Sequence, residues 1–307
     1  MSGSLIMGLL ILLLAPREAS AWGPITHLAH GAEVLSNLTI LGAGLQRLLQ
    51  RERLAYLYGC VGADITQAKK YTRAEQAHCH SWRVGWALLA HAQNDTQRAF
   101  SYGYLTHLSS DVYSHNHYVP TQLIVSFRAM TLRHVYWEAR FDALQDAELR
   151  DIVGELRAKR FPECDDLVRD VVSRTLFSFS TDKRIFNGFI AIHDLDQWHK
   201  IMRRLIARSR YALPPEIVRR YNDACYQSIV DMLKNGKRAD NQTADPTGLV
   251  ALTMAKDLRN TLKLLARNRR LPRKLQDEIE ALNERSELLV GSGMPSLSLT
   301  LATSGVS

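Results

Sequence analysis

The chain has 307 residues, of which 46% are hydrophobic and 23% are charged, and its formal net charge at pH 7 is +8. This composition is ordinary for a globular protein, and the length allows one large domain or two small ones with a substantial core. The positive charge favours anionic partners such as nucleic acid, acidic lipid or cell-surface phosphate. A solvated basic face is nevertheless the simpler explanation of the charge alone.

The first residues have the pattern of an export signal. An apolar run of 11 residues spans 5–15, which is short of the ~20 residues that a membrane-spanning helix needs. Pro16 ends the run, and the small residues ASA at 19–21 form a cleavage site. We therefore predict that residues 1–21 are a signal peptide, that the mature chain begins at Trp22, and that the protein is secreted or periplasmic. An uncleaved membrane anchor is the alternative.

After the leader, apolar residues recur at intervals of three and four, which is the period of amphipathic helices. The pattern predicts helices over 28–35, 41–58, 84–92, 99–113, 123–144, 167–177, 195–206, 215–233, 249–265 and 272–289. Strand-like alternation is rare, and neither a repeat nor a low-complexity linker occurs before residue 290. We predict one all-α, multi-helix domain over residues 22–290. The uncharged residues 291–307 are expected to form a flexible tail, with a short strand as the alternative.

Four cysteines are too few for a disulfide framework in a chain of this length, although export permits disulfide bonds. The sequence does not distinguish between their three pairings; they are Cys60, Cys79, Cys164 and Cys225. Cys79 lies between two histidines, but we do not expect it to bind metal.

Nine of the eleven histidines lie between positions 27 and 134, so we expect the chemistry in that part of the chain. His107 and Asp111 are four residues apart, which places an imidazole and a carboxylate one turn apart on the same helix face. Such a pair can share a metal ion. His117 follows six residues after Asp111, at a point where Pro120 is expected to end the helix.

A second pair, His134 and Glu138, has the same spacing of four residues. One such pair is more often a surface hydrogen bond than a metal site. Two pairs and a further histidine within 32 residues are harder to explain without a metal ion. Because nitrogen and oxygen ligands without thiolate are typical of zinc, we predict that this segment binds zinc.

Further candidate ligands lie upstream. Asp64 follows a helix end in a turn that contains glycines and projects its carboxylate. His78 and His80 flank a cysteine just before the helix that is predicted to start near Val84. The residues alone do not decide which of these two histidines is the ligand.

In order and spacing, these motifs resemble those of the zinc-dependent phospholipase C family and of the fungal and plant single-strand-specific zinc nucleases. The shared elements are an N-terminal tryptophan, a histidine soon after it, an isolated aspartate, a later histidine, H-x-x-x-D-x-x-x-x-x-H and H-x-x-x-E. The spacing from Trp22 to His27 resembles the nucleases. Glu138 resembles the phospholipases, because the nucleases tend to have aspartate there. The resemblance covers about residues 22–145.

The resemblance implies an all-α fold of the phospholipase C and zinc nuclease type, with three zinc ions. The first ion takes its ligands from the upstream candidates and the central motif, namely Asp64, one of His78 and His80, His107 and Asp111. A close neighbour takes the α-amine and carbonyl of Trp22, which requires cleavage of the leader, together with His27 and the bridging Asp111. The third ion takes His117, His134 and Glu138. His115 departs from the family spacing and is not expected to be a ligand.

The implied activity is hydrolysis of a phosphodiester by zinc-activated hydroxide, with Asp64 and Asp111 as the catalytic carboxylates. We expect a phospholipase C that acts on glycerophospholipids at a membrane surface and needs no obligate protein partner. A single-strand nuclease is the first alternative, and a non-catalytic binding protein of the same fold is the less favoured one. Aromatic residues near the ligands could contact a choline-like head group, stack on bases or simply pack; they are Trp82, Tyr104, Tyr113, Tyr118 and Tyr136.

Overall fold

The computed structural model describes residues 22–65, 79–129, 134–145, 149–172, 196–211 and 213–283. Across these ranges every regular element is helical and no β-strand occurs, which confirms the predicted all-α fold. The predicted leader, His78 and the predicted tail lie outside the described residues. No described helix has both the length and the apolar character that crossing a bilayer requires.

The α-helices follow the order that the apolar pattern predicted, with one addition, α8. In chain order they are α1 (Pro24–Ser36), α2 (Ala43–Arg51), α3 (Arg53–Cys60), α4 (Trp82–His91), α5 (Asp95–Tyr113), α6 (Val119–Val125), α7 (His134–Asp142), α8 (Leu149–Ala158), α9 (Pro162–Val171), α10 (Asp196–Ala207), α11 (Pro215–Asn235), α12 (Leu249–Arg267) and α13 (Arg273–Glu280). A π-helical segment, Ser114–Tyr118, joins α5 to α6.

Two of the predicted helices are divided in the structure. The predicted helix over 41–58 is two helices, because the chain turns at Glu52 between α2 and α3. The predicted helix over 123–144 is interrupted as well, since α6 ends at Val125 and α7 begins at His134. An apolar interval alone does not locate such turns, because helix boundaries also depend on caps and on tertiary contacts.

α5 lies at the centre of the fold. Asn94 caps its first turn by accepting a hydrogen bond of 2.8 Å from the N–H of Gln97. From Ala99 to Tyr113, every residue except Tyr102 is buried. A helix that is buried on all sides needs neighbours on all sides, and α3, α4 and α11 pack against it.

Two clusters of buried apolar side chains meet along α5. The first cluster includes α5 residues up to Leu108 and continues into α3, α4 and α9. The second includes α5 residues from Val112 onward and continues into α6, α7 and α12. His107 and Asp111 therefore lie where the two clusters adjoin.

Two glycines allow α3 and α5 to pack closely. A Cβ at Gly103 would overlap the carbonyl oxygen of Tyr56, and a Cβ at Gly59 would overlap that of Phe100. Tyr56 and Thr106 also share a hydrogen bond of 3.0 Å across the same interface. This packing brings the end of α3, and the turn that follows it, against the middle of α5.

The predicted helix end before Pro120 does not occur. α5 continues through the π-helical segment, in which the N–H of Val119 donates to the carbonyl of Ser114, five residues earlier. Pro120 then lies in the first turn of α6, directly after the π segment, whose wider turn accommodates a residue without an N–H. The histidines of the π segment are therefore part of a continuous helix.

All four cysteines are buried and none of their three disulfide pairings is formed. Burial raises the pKa of the Cys225 thiol to about 12. A thiol with a raised pKa is a weak nucleophile at neutral pH, and Cys225 therefore serves as a small apolar side chain of the core.

Gly103→Ala is expected to lower the free energy of unfolding by ~1–3 kcal/mol, because the added methyl group does not fit between α5 and the backbone of α3. Gly154→Ala is the matched control, since Gly154 is an exposed residue of α8 and a Cβ there meets no atom within 4 Å. The control should gain roughly 0.5–1 kcal/mol from the helix preference of alanine. Chemical denaturation measures both values, and equal stabilities of the two variants would contradict the close packing.

Candidate metal centre

His107 and Asp111 lie one turn apart on one face of α5, as their spacing predicts. The Nδ1 of His107 lies 2.9 Å from the carbonyl oxygen of Cys60, and because a carbonyl only accepts hydrogen bonds, this nitrogen carries the ring proton. Nε2 is then the ring nitrogen with a lone pair, and it lies 3.1 Å from Asp111 Oδ2. Cys60 is the last residue of α3, so the packing of α3 on α5 orients this ring.

Asp64 and His80 approach the same carboxylate from two other segments. Asp64 lies in the 3-10 turn after α3, and His80 lies just before α4. The Nε2 of His80 lies 3.4 Å from Asp64 Oδ1 and 3.2 Å from Asp111 Oδ2. It also lies 3.0 Å from the Nε2 of His107. Asp64, His80 and His107 thus form a first group whose ligand atoms lie within 4.8 Å of one another.

His27 of α1 forms a second group on the other side of Asp111. Its Nε2 lies 3.3 Å from Asp111 Oδ1, and its ring stacks on that of His107 with 3.7 Å between the ring centroids. The ligand atoms of His27, His107 and Asp111 again lie within 4.8 Å of one another. Because Asp111 directs Oδ1 to His27 and Oδ2 to His80 and His107, its carboxylate would be shared between cations held at the two groups.

The electrostatics of these two groups fit a cation. The oxygens of Asp111 and the ring nitrogens of His27 are buried and form no hydrogen bond of ordinary geometry with the described residues. Burial by itself would raise the pKa of Asp111, but His107 and the other two imidazoles hold that pKa well below its usual range. Burial and the neighbouring His107 lower the pKa of His27, so its ring is neutral, which is the form that binds metal. A buried carboxylate surrounded by imidazole nitrogens is a donor set that suits zinc.

A third group lies beyond these two, at the π-helical segment. It consists of His115 from that segment and of His134 and Glu138 from α7, whose ligand atoms lie within 4.8 Å of one another. The Nε2 of His134 contacts Glu138 Oε1, and the Nε2 of His115 lies 3.9 Å from the same oxygen. Two imidazoles and one carboxylate again form a donor set that suits zinc.

The start of α1 is held close to these groups. The ring of Trp22 is fully buried, donates its indole N–H to the carbonyl of Ser110 at 3.2 Å, and packs on Phe141 with 4.0 Å between ring centroids. Asp142 of α7 accepts hydrogen bonds from the N–H of Thr26 at 2.6 Å and from its hydroxyl at 2.9 Å. Asp142 therefore caps α1, whose own N-cap residue is a glycine without a side chain.

A model of the family described as zinc dependent phospholipase C matches residues 26–202, which is more than half of the chain. The chain belongs to the zinc-dependent phospholipase C family. This match confirms the resemblance that the motifs indicated, and it spans the three groups from His27 to Glu138. No curated protein and no solved structure matches the chain.

In this phospholipase C family member the third group differs from the predicted ligand set, because it contains His115 and not His117. Four residues make nearly one helical turn, whereas six residues rotate the chain by about 600°, which is ~120° away from the starting face. Since the helix continues past Asp111, His115 follows it on the same side. The ring of His117 lies beside Tyr113, with 5.5 Å between the centroids, and burial lowers the pKa of His117 to about 4.

Three further expectations about metal ligands concern the choice between His78 and His80, the thiol of Cys79 and the α-amine of Trp22. His80 lies in the first group, whereas His78 lies outside the described residues and stays a prediction. The Sγ of Cys79 lies 3.3 Å from the Nδ1 of His80, whereas it is the Nε2 of that ring that faces Asp111. Cys79 belongs to none of the three groups. Coordination by the α-amine of Trp22 also stays a prediction.

His30 forms hydrogen bonds close to the ligands, although no motif in the sequence marked it. The ring nitrogens of His30 lie 2.8 Å from Ser110 Oγ and 3.1 Å from Asn222 Oδ1, and burial lowers its pKa to about 3. His30 therefore joins α1, α5 and α11 as a neutral hydrogen-bonding residue. For His115, the four-residue spacing from Asp111 was an available signal.

Asp111→Asn is expected to remove zinc from the first two groups, because the neutral amide replaces the one carboxylate that all three imidazoles face. Asp165→Asn is the matched control: Asp165 is also buried, but it accepts a hydrogen bond of 2.6 Å from the Tyr58 hydroxyl, and an amide oxygen can do the same. Elemental analysis of purified protein gives the zinc content per chain. An unchanged zinc content in Asp111→Asn would rule out the bridging arrangement.

Proposed function

We propose that this chain is a secreted phosphodiesterase with three zinc ions, and specifically a phospholipase C that hydrolyses glycerophospholipids. The observation that carries the proposal is the arrangement around Asp111, whose buried carboxylate has the Nε2 atoms of His27, His80 and His107 at 3.1–3.3 Å. Membership of the zinc-dependent phospholipase C family supports the proposed reaction. The third group supports a count of three ions.

When bound, zinc at these groups supplies Lewis-acid chemistry that activates a water molecule and offsets negative charge on a phosphoryl group. Asp111 would link the two neighbouring sites, because its Oδ1 faces His27 and its Oδ2 faces His80 and His107. Asp64 is 7% exposed, whereas His80 is 2% and His107 0% exposed. Its carboxylate is thus the group best placed to orient the attacking water and to accept its proton.

The third group is placed to bind the far side of the same phosphate. Asp111 and His115 are four residues apart on one helix, which is about 6 Å along its axis. The side chain of His134 is 13% exposed, more than that of Glu138 at 2%, so solvent reaches this group on the His134 side. With zinc bound at these groups, a phosphodiester lying between them would face the first two groups with its phosphorus and the third with its leaving oxygen.

Glu138 and the family favour a phospholipid substrate. The net charge of +8 suits the anionic surface of a membrane. Tyr104 and Tyr118 do not contact a head group, because both are fully buried and their hydroxyls donate to the carbonyls of Cys79 and Trp137. Residues other than these two tyrosines must therefore recognise the lipid head group.

A single-strand nuclease is the second candidate. The spacing from Trp22 to His27 favours it, since this interval resembles the nuclease branch. The positive charge favours it as well, because nucleic acid is polyanionic. Both candidates share the same metal chemistry and differ in the surface that receives the substrate.

The proposed substrate predicts that mixed lipid vesicles release a phosphorylated head group and diacylglycerol on incubation with the protein. Single-stranded DNA, assayed in parallel for acid-soluble nucleotides, should stay intact. A zinc chelator should abolish lipid hydrolysis, and Asp165→Asn should retain it. Chelator-sensitive cleavage of DNA with intact lipid would reverse the choice of substrate and leave the metal chemistry standing.

The proposed export predicts a mature chain that begins at Trp22. The buried indole of Trp22, bonded to Ser110 next to Asp111, supports a role for its α-amine at the second group. A variant with one extra residue before Trp22 should bind about two zinc ions in place of three and lose most activity. The intact mass of the exported protein identifies its first residue. A first residue other than Trp22 would contradict coordination by the α-amine of Trp22.

A further inference from the structure

The turn before α12 touches the third group from outside the matched family region. The Nδ1 of His115 lies 2.6 Å from the carbonyl oxygen of Pro246. A carbonyl only accepts, so this nitrogen carries the ring proton, and the lone pair of the neutral ring is on Nε2. Nε2 is the atom that lies 3.9 Å from Glu138 Oε1. The Pro246 carbonyl therefore selects the tautomer in which His115 presents its lone pair to the third group.

The same turn is tied to the π-helical segment by a side chain. The Nδ2 of Asn116 donates to the carbonyl of Asp245 at 2.8 Å and to that of Val112 at 2.9 Å. The carboxylate of Asp245 accepts hydrogen bonds from the N–H groups of Thr247 at 2.9 Å and Leu249 at 3.3 Å. Asp245 thus closes the turn on itself, while Asn116 holds it against the helix that carries His115.

Gly248 makes the approach of this turn to His115 sterically feasible. It has φ +55°, in the left-handed region that favours glycine. A Cβ at this position would overlap the Cβ of His115 and would lie 2.6 Å from its carbonyl carbon. The turn can thus reach the Nδ1 of His115 only if residue 248 has no side chain.

We propose that His115, and not His117, is the histidine ligand that the π-helical segment contributes to the third zinc, and that the Asp245–Gly248 turn is its positioning element. The turn fixes the ring by the Pro246 carbonyl and by the close contact of Gly248. This inference rests on the proposed metal chemistry, and it adds residues from the far C-terminal part of the chain to a site whose ligands come from the N-terminal half.

The test is the zinc content per chain after equilibration with graded, chelator-buffered zinc. His115→Ala should lose one of three ions, whereas His117→Ala should keep all three. Gly248→Ala should weaken the affinity for that same ion by about 10- to 100-fold, which is the usual effect of removing an outer partner of a metal ligand. The other two ions should stay bound in each variant.

Gly236→Ala is the matched control for Gly248→Ala. Gly236 has a similar φ of +59°, but a Cβ there meets only Trp86, at 3.7 Å. Gly236 has ψ −129° where Gly248 has ψ +27°, so the control introduces more backbone strain than Gly248→Ala does. Because it does not touch His115, it should still bind three ions with unchanged affinity. If Gly248→Ala does not fold, Asp245→Ala replaces it, because that change loosens the turn without adding volume.

The outcomes separate this inference from the proposed function. Wild-type protein that takes up no zinc contradicts both. Wild-type protein with three ions, together with wild-type affinities in both Gly248→Ala and Asp245→Ala, overturns the positioning role and leaves the proposed function intact. Loss of an ion in His117→Ala but not in His115→Ala overturns the ligand assignment alone.

Discussion

The burial of one carboxylate organises this molecule. Asp111 is 0% exposed and ionised, and an isolated buried charge costs several kcal/mol unless other groups compensate it. Three imidazoles from three separate segments surround Asp111, and a cation held by this set would supply the compensation, so α1, α5 and the residues before α4 must converge on one point. The neighbours of α5 are therefore determined by a polar requirement as well as by apolar burial.

The packing around α5 restricts how these imidazoles can move. Glycines 59 and 103 let α3 approach α5 closely, and the same approach brings the Cys60 carbonyl to the ring of His107. The two apolar clusters adjoin near Asp111, which surrounds the ligands with close-packed side chains on both sides. Close-packed surroundings hold side chains in single rotamers, and such preorganisation is what a metal site requires.

The third group is connected to the first two through shared elements. α5 runs into the π-helical segment that carries His115, and α7 carries both Glu138 and Asp142, the residue that caps α1. A displacement of α7 would therefore disturb His27 and Glu138 together. The Asp245–Gly248 turn adds a contact from the C-terminal part of the chain, so all three groups depend on helices that are distant in sequence.

The sequence by itself determined the all-α fold, the family and the two helical pairs, His107 with Asp111 and His134 with Glu138. The fold and the pairs follow from the period of a helix, which is a local property that a sequence records directly. The family follows from the resemblance of the motifs, in their order and spacing, to those of known members. Tertiary structure decided how the helices are joined and which groups meet between them. The helix continues past Asp111 because a π segment accommodates Pro120, and this places His115 in the third group, where the family resemblance had implied His117. The tautomers of His107 and His115 depend on the carbonyls of Cys60 and Pro246. Every residue has a backbone carbonyl, so such a contact leaves no pattern in the sequence and appears only once the chain has folded.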